Sequence, residues 1–179
     1  LSKDYYFFFS KNLIFTFLAI MVMIIILAIK TEMLIKLTLP LFIISFIFLA
    51  LVPIIGIEVK GAKRWIDLYF FRLQPIEILK PFFILMTVQI LTFEKFKSSK
   101  IKYILSFMLL CSVIILLIDQ PDLGQSILLT GSWVATVFIS GVNLIYIFIF
   151  FSIFLISFNS LLFFLPEKFG YIINRLATF

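Results

Sequence analysis

Six long apolar runs, separated by short charged stretches, dominate this chain. They cover residues 12–29, 37–57, 73–93, 103–118, 123–140 and 144–165. Each approaches the roughly 20 residues that a helix needs to cross a bilayer core. None alternates polar with apolar positions as the strands of a membrane barrel do. An unclosed chain satisfies its backbone groups in hydrocarbon only as helix. The pattern therefore predicts an all-α fold, a polytopic transmembrane helix bundle of about six spans in one integral-membrane domain over residues 1–179. The stretches between the runs read as polar connections. Residues 58–72 are the longest, 94–102 hold four Lys and one Glu, and 119–122 turn on Pro121.

Composition narrows the choice further. Hydrophobic residues make up 64% of the chain and charged residues 13%, with 25 Phe. A soluble globule of this size has too little polar surface to cover so much apolar area. Disordered chains are poor in apolar residues, so disorder is excluded as well. The chain has no His, which removes a Ser-His-Asp triad and a His-based zinc hydrolase. Cys111 is the single cysteine and forms no internal disulfide. The net charge of +6 is not gathered on a face apart from the apolar runs, so nucleic acid is not an expected partner. The first run lacks the small-residue cleavage site of a signal peptide. The chain starts on Leu1 and ends on Phe179, and the domain is expected to be incomplete at both ends.

Charge alone leaves the orientation open. If alternate loops face opposite sides, one side carries nine basic residues and the other six. The positive-inside rule would make the first side cytoplasmic. Five of those nine lie between Lys60 and Lys80. If they serve a ligand they drop out of the count, and the vote reverses.

Ionisable residues in or beside the spans are the informative ones, because each is costly in hydrocarbon unless paired or hydrated. Lys63 and Arg64 stand beside Trp65. They suit either an anionic headgroup or a plain interfacial anchor. Glu77 and Lys80 follow Pro75, which starts a helix well. At i and i+3 they share one face, as a functional pair or a self-neutralised surface pair. Asp119 and Asp122 flank Pro121. Asp122 can cap the next helix, or meet Lys80 and Glu77 in a small polar network. Gln89, Ser106, Ser112, Thr130 and Ser132 are expected to hydrogen-bond to a neighbouring helix or to their own backbone.

Three blocks in order and spacing carry a family resemblance. Residues 56–66 read Gly-Ile-Glu-Val-Lys-Gly-Ala-Lys-Arg-Trp-Ile, and residues 72–80 read Arg-Leu-Gln-Pro-Ile-Glu-Ile-Leu-Lys. Residues 120–126 read Gln-Pro-Asp-Leu-Gly-Gln-Ser. Together they resemble the SEDS family, the FtsW/RodA/SpoVE group. The chain departs from the family pattern at Ile76, where Ser or Ala is usual, and at Gln125, where Thr is usual. The ending at residues 171–179 favours the FtsW branch.

The resemblance implies a multi-pass protein of the bacterial inner membrane, whose six spans match the family's second through seventh helices. Residues 60–72 would then be periplasmic. It implies a peptidoglycan glycosyltransferase that polymerises lipid II during septal cell-wall synthesis. A class B penicillin-binding protein and other division proteins would be its partners. Lys63 and Arg64 become candidates for the substrate pyrophosphate. Glu77, Lys80 and Asp122 become the polar network of a central cavity. The family's proposed catalytic base lies beyond Phe179, and a divalent metal, Mg or Mn, belongs with the full-length protein. A lipid II flippase, a RodA-like elongation polymerase and a scaffold are the competing readings.

Overall fold

The computed structural model describes residues 2–59, 61–69, 71–94, 96, 98–143, 145, 146, 148, 149, 152 and 156, with side chains from residue 9 onward. The chain divides into two compact units, Leu1–Gln89 and Ile90–Phe179.

The first unit opens with α1 (Ser2–Ala28) and α2 (Thr31–Ile55). The described side chains of α1 from Phe9 to Ala28 are all exposed. An all-round apolar helix with no buried stripe belongs in lipid. Lys30 breaks the chain in an extended conformation, and Glu32 sits in the first turn of α2, where the helix dipole favours an acid. The buried positions of α2 are Thr38, Phe42, Ser45, Leu49 and Val52. They fall four and three residues apart in alternation, which draws one narrow seam along the helix. Thr38 Oγ1 donates to the Leu34 carbonyl at 2.8 Å and Ser45 Oγ to the Leu41 carbonyl at 2.8 Å. The two hydroxyls thus satisfy themselves on their own helix and leave the seam dry.

The connection after α2 departs from the expected polar loop. It folds as β1 (Ile57–Val59), β2 (Ala62–Asp67) and β3 (Arg72–Leu73) in the antiparallel order β1-β2-β3. Val59 pairs with Ala62 and Glu58 with Lys63; Ile66 pairs with Leu73 and Asp67 with Arg72. Two cross-strand pairs therefore join opposite charges, which favours this register. The β1–β2 connection needs a left-handed residue, and Gly61 supplies it at φ +79°. Nothing lies within 4 Å of where its Cβ would be, so the cost of a side chain is purely conformational. Gly61→Ala is expected to destabilise the hairpin by about 1 kcal/mol. A lowered thermal midpoint with unchanged helix content would show it.

Helix α3 (Pro75–Thr92) follows β3 after the single residue Gln74. Its buried side chains Ile76, Leu79, Phe83, Thr87 and Leu91 make another narrow seam. Gln89 Nε2 donates to the Ile35 carbonyl of α2 at 2.9 Å, a bond between neighbouring helices of the kind that bundles use in place of hydrophobic drive.

In the second unit, α4 (Ser99–Asp119) and α5 (Leu123–Ile139) form a helical hairpin. Their buried seams run Ser106, Leu110, Val113, Leu117 and Ser126, Leu129, Trp133, Val137. Phe107 and Trp133 hold them together with ring centroids 5.7 Å apart. Ser106 bonds the Tyr103 carbonyl, Ser112 the Leu109 carbonyl, Thr130 the Ser126 carbonyl and Ser132 the Leu128 carbonyl. Of the two expected fates of these hydroxyls, they take the local one.

Among the described residues, α1 from Phe9, α2, α3 and α4 are each long and apolar enough to cross a membrane, while α5 has 17 residues. Ile145, Tyr146, Phe148, Ile149, Ser152 and Ile156 are helical within the sixth run. The remainder of that run and residues 166–179 lie outside the described residues.

Candidate functional site

The hairpin and the start of α3 place four of the five candidate side chains. A strand turns successive side chains to opposite faces. That alternation breaks here: Glu58 pairs with Lys63 and Ile57 with Trp65, so Arg64 is the extra residue of a β-bulge. Arg64 is half-buried, between buried Ala62 and Ile66 along the strand. Lys63 is exposed, and its Nζ reaches the Pro53 carbonyl at 3.4 Å. A cation at the last carbonyls of α2 suits the negative end of that helix. Lys63 thus stands at the helix end, and Arg64 at the bulge.

Close packing tethers the hairpin to α2. Gly56 follows the last turn, and its N–H returns to the Val52 carbonyl at 2.8 Å. A Cβ on Gly56 would collide with that carbonyl and crowd the Trp65 carbonyl at 3.3 Å. Gly56→Ala is expected to displace the hairpin and cost about 1–3 kcal/mol, as overpacking does. Faster proteolysis between residues 57 and 73 would reveal it.

Glu77 and Lys80 come together. Lys80 Nζ lies 2.6 Å from Glu77 Oε2, with the Lys80 side chain 24% and the Glu77 side chain 50% exposed. The pair sits in the first turns of α3, just after buried Pro75 and Ile76. The N-terminal N–H groups favour the carboxylate there. Pro81 follows Lys80 inside the helix. Lacking an N–H, it gives no α-helical bond to the Glu77 carbonyl. An acid, an amine and a main-chain carbonyl thus gather at the mouth of an apolar helix.

Asp122 lies in the second unit and is 8% exposed. It is the N-cap of α5: its Oδ1 accepts from the Gln125 N–H at 3.5 Å, and its carbonyl accepts from Ser126 N at 3.1 Å and Ser126 Oγ at 2.9 Å. Helix α4 closes on buried Gln120 before Pro121. The capping role weighed for Asp122 is therefore present. Among the described residues, no three His, Cys, Asp or Glu side chains gather to hold a metal ion.

Sequence reasoning missed the strands, and with them a cluster at the hairpin tip. Lys11, Phe15, Asp67, Tyr69, Phe71 and Arg72 line a cleft of about 510 Å³. The available signal was the β-branched and aromatic residues Val59, Trp65 and Ile66 around the turn glycine Gly61.

Fold and site define a multi-pass membrane protein that sets a small charged hairpin on the entrance of an ion-paired helix. Over residues 1–179 the chain matches the cell cycle protein family of FtsW, RodA and SpoVE, and it belongs to that family. It is 32% identical over 146 residues to the probable peptidoglycan glycosyltransferase FtsW of Wigglesworthia glossinidia brevipalpis, covering 80% of this chain and 38% of that protein. The FtsW of Escherichia coli O6:H1 is 29% identical over 146 residues, 80% of this chain and 35% of that protein. A solved peptidoglycan synthase complex, described as coordinating polymerization and crosslinking, superposes with a TM-score of 0.71 at 27% identity. That match covers 85% of this chain and 46% of the other. The rod shape determining protein RodA of Thermus thermophilus gives a TM-score of 0.59 at 30% identity, covering 64% and 38%. The chain thus spans less than half the length of these relatives.

Proposed function

We propose that the protein is a peptidoglycan glycosyltransferase of the bacterial inner membrane, polymerising lipid II in septal synthesis beside a class B penicillin-binding protein. The observation that carries this reading is the Glu77–Lys80 pair at 2.6 Å. An ion pair at the mouth of a spanning helix favours a wet, charged entrance over a lipid-facing one. In the proposed reaction the 4-OH of one disaccharide attacks the anomeric carbon of another, and undecaprenyl pyrophosphate departs. A carboxylate elsewhere in the full-length protein takes the hydroxyl proton. Cations of this chain stabilise the charge that builds on the leaving group. A divalent metal would add to that charge stabilisation when bound.

Side-chain chemistry ranks the cations. Arg64, half-buried and with a bidentate guanidinium, is the better pyrophosphate ligand. Lys63 is engaged at the end of α2. Arg64→Ala is expected to lower kcat/KM by about 10- to 100-fold, the worth of a charge-assisted contact. Lys63→Ala should cost less than about tenfold on the same scale.

The founding test is to incubate the full-length protein and its partner with lipid II and to look for glycan strands. Translocation of lipid II without polymer would replace this reading with a flippase. An elongation role is the second reading, supported by the likeness to RodA. Restoration of septa, rather than of rod shape, in depleted cells separates the two.

A further inference from the structure

Lys11, Phe15, Asp67, Tyr69, Phe71 and Arg72, which line the cleft at the hairpin tip, take no part in the proposed glycosyl transfer. The cleft lies where membrane depth and charge meet. Helices α1 and α2 are consecutive and long enough to span, so the start of α1 and the end of α2 reach the same membrane side. The hairpin that follows α2 therefore lies on the membrane side where α1 begins, and Lys11 and Arg72 line one cleft. The Lys11 ammonium stands 6.0 Å from the ring centroid of Phe15, one turn further along α1, and both side chains line the cleft. Beyond that ring, among the described residues, neither the Lys11 ammonium nor the Arg72 guanidinium is held in a hydrogen bond or ion pair.

The turn between β2 and β3 is built to project apolar groups. The Tyr69 N–H donates to Asp67 Oδ1 at 3.0 Å, and the Leu68 N–H to the Phe71 carbonyl at 3.1 Å. Tyr69 takes φ +68°, a left-handed conformation uncommon for residues with a side chain. It is 92% exposed, and Leu68 and Phe71 beside it are exposed as well. Exposed aromatics next to cations, at the end of a lipid-facing helix, are the composition of a membrane interface.

We propose that this cleft binds the phosphodiester of an anionic glycerophospholipid, with Lys11 and Arg72 as the phosphate-binding cations and Tyr69 and Phe71 seated among the acyl-chain roots. Charge selects this class. Two cations and the Asp67 carboxylate leave a net charge of +1, which one phosphodiester neutralises. A pyrophosphate would bring a second negative charge against Asp67. The lipid-facing surface of α1 supplies the path for the acyl chains. The inference stands apart from the catalytic reading, because its readout is lipid retention and not polymer.

The test is native mass spectrometry of the full-length protein released from detergent with phosphatidylglycerol or phosphatidylcholine. Wild type is expected to retain one phosphatidylglycerol that the double variant Lys11→Gln/Arg72→Gln loses by at least about tenfold, on the scale of charged contacts. The charge-keeping variant Lys11→Arg/Arg72→Lys should retain it, which separates recognition from misfolding. Lys100→Gln, an exposed cation of α4, should change nothing. Equal retention by wild type and the double variant would overturn the proposal, and so would equal retention of phosphatidylcholine. Displacement of the lipid by millimolar inorganic phosphate would assign the cleft to a soluble phosphate instead.

Discussion

Replacing Lys80 with Ala is expected to reduce glycan polymerisation by the full-length protein at least about 100-fold, while the protein still inserts and folds. The stability side follows from exposure. Glu77 is half exposed and Lys80 is 24% exposed, so their pairing resembles a partly solvated ion pair, worth about 0–1 kcal/mol. The buried neighbours Ile76, Leu79 and Phe83 hold α3 without it. The functional side follows from position. The ammonium stands at the mouth of α3 beside a carboxylate. Under the proposed function, its loss leaves the acid to face an anionic substrate, and like charge repels. Glu77→Gln serves as the companion variant. If Lys80 acts on substrate, Glu77→Gln should weaken the rate less than Lys80→Ala does. If the pair acts as one unit, the two losses should match and should not add in the double variant. Polymerisation of lipid II at the wild-type rate by Lys80→Ala would remove the pair from the mechanism.

The helices were legible because hydrocarbon imposes one rule on the backbone, and long apolar runs satisfy it. Their ends were less legible for a physical reason. The run beginning at residue 103 excludes Lys100 and Lys102, yet α4 begins at Ser99. Likewise α2 begins at Thr31 and includes Glu32 and Lys36. A helix continues through the interface, where long charged side chains reach water along its flank. Hydropathy stops at the first charge, whereas backbone hydrogen bonding does not.

The buried seams were hidden by uniformity. Where nearly every position is Ile, Leu or Phe, apolar character cannot distinguish the face that meets protein from the face that meets lipid. The small polar residues can: Thr38, Ser45, Thr87, Ser106 and Ser126 are all buried. Helices in lipid pack on small side chains, and a hydroxyl there can be satisfied on its own backbone. A lone Ser or Thr within an apolar run is therefore the better marker of the seam. The hairpin was missed for the opposite reason. Its charges read as solvated loop, although Val59, Trp65 and Ile66 around Gly61 carry the β signal.

Asp122 is the residue where structure and chemistry must be separated by choice of substitution. It caps α5 through its carboxylate, so Asp122→Ala removes a cap and a charge together. The cap alone is worth about 1 kcal/mol, and its loss should lower the thermal midpoint whatever the residue does in catalysis. Asn is as good an N-cap as Asp, and it carries no charge. Asp122→Asn is therefore expected to keep the thermal midpoint close to wild type. If the carboxylate belongs to the charged network of the proposed glycosyltransferase, Asn should still lower polymerisation by about 100-fold or more. Paired measurements of melting and of glycan length on the two variants decide the matter. Normal strands from Asp122→Asn, with a lowered midpoint only in Asp122→Ala, would leave Asp122 a helix cap. The proposed charge stabilisation would then rest on Lys80, because a buried acid that tolerates neutralisation cannot be setting the charge that the substrate meets.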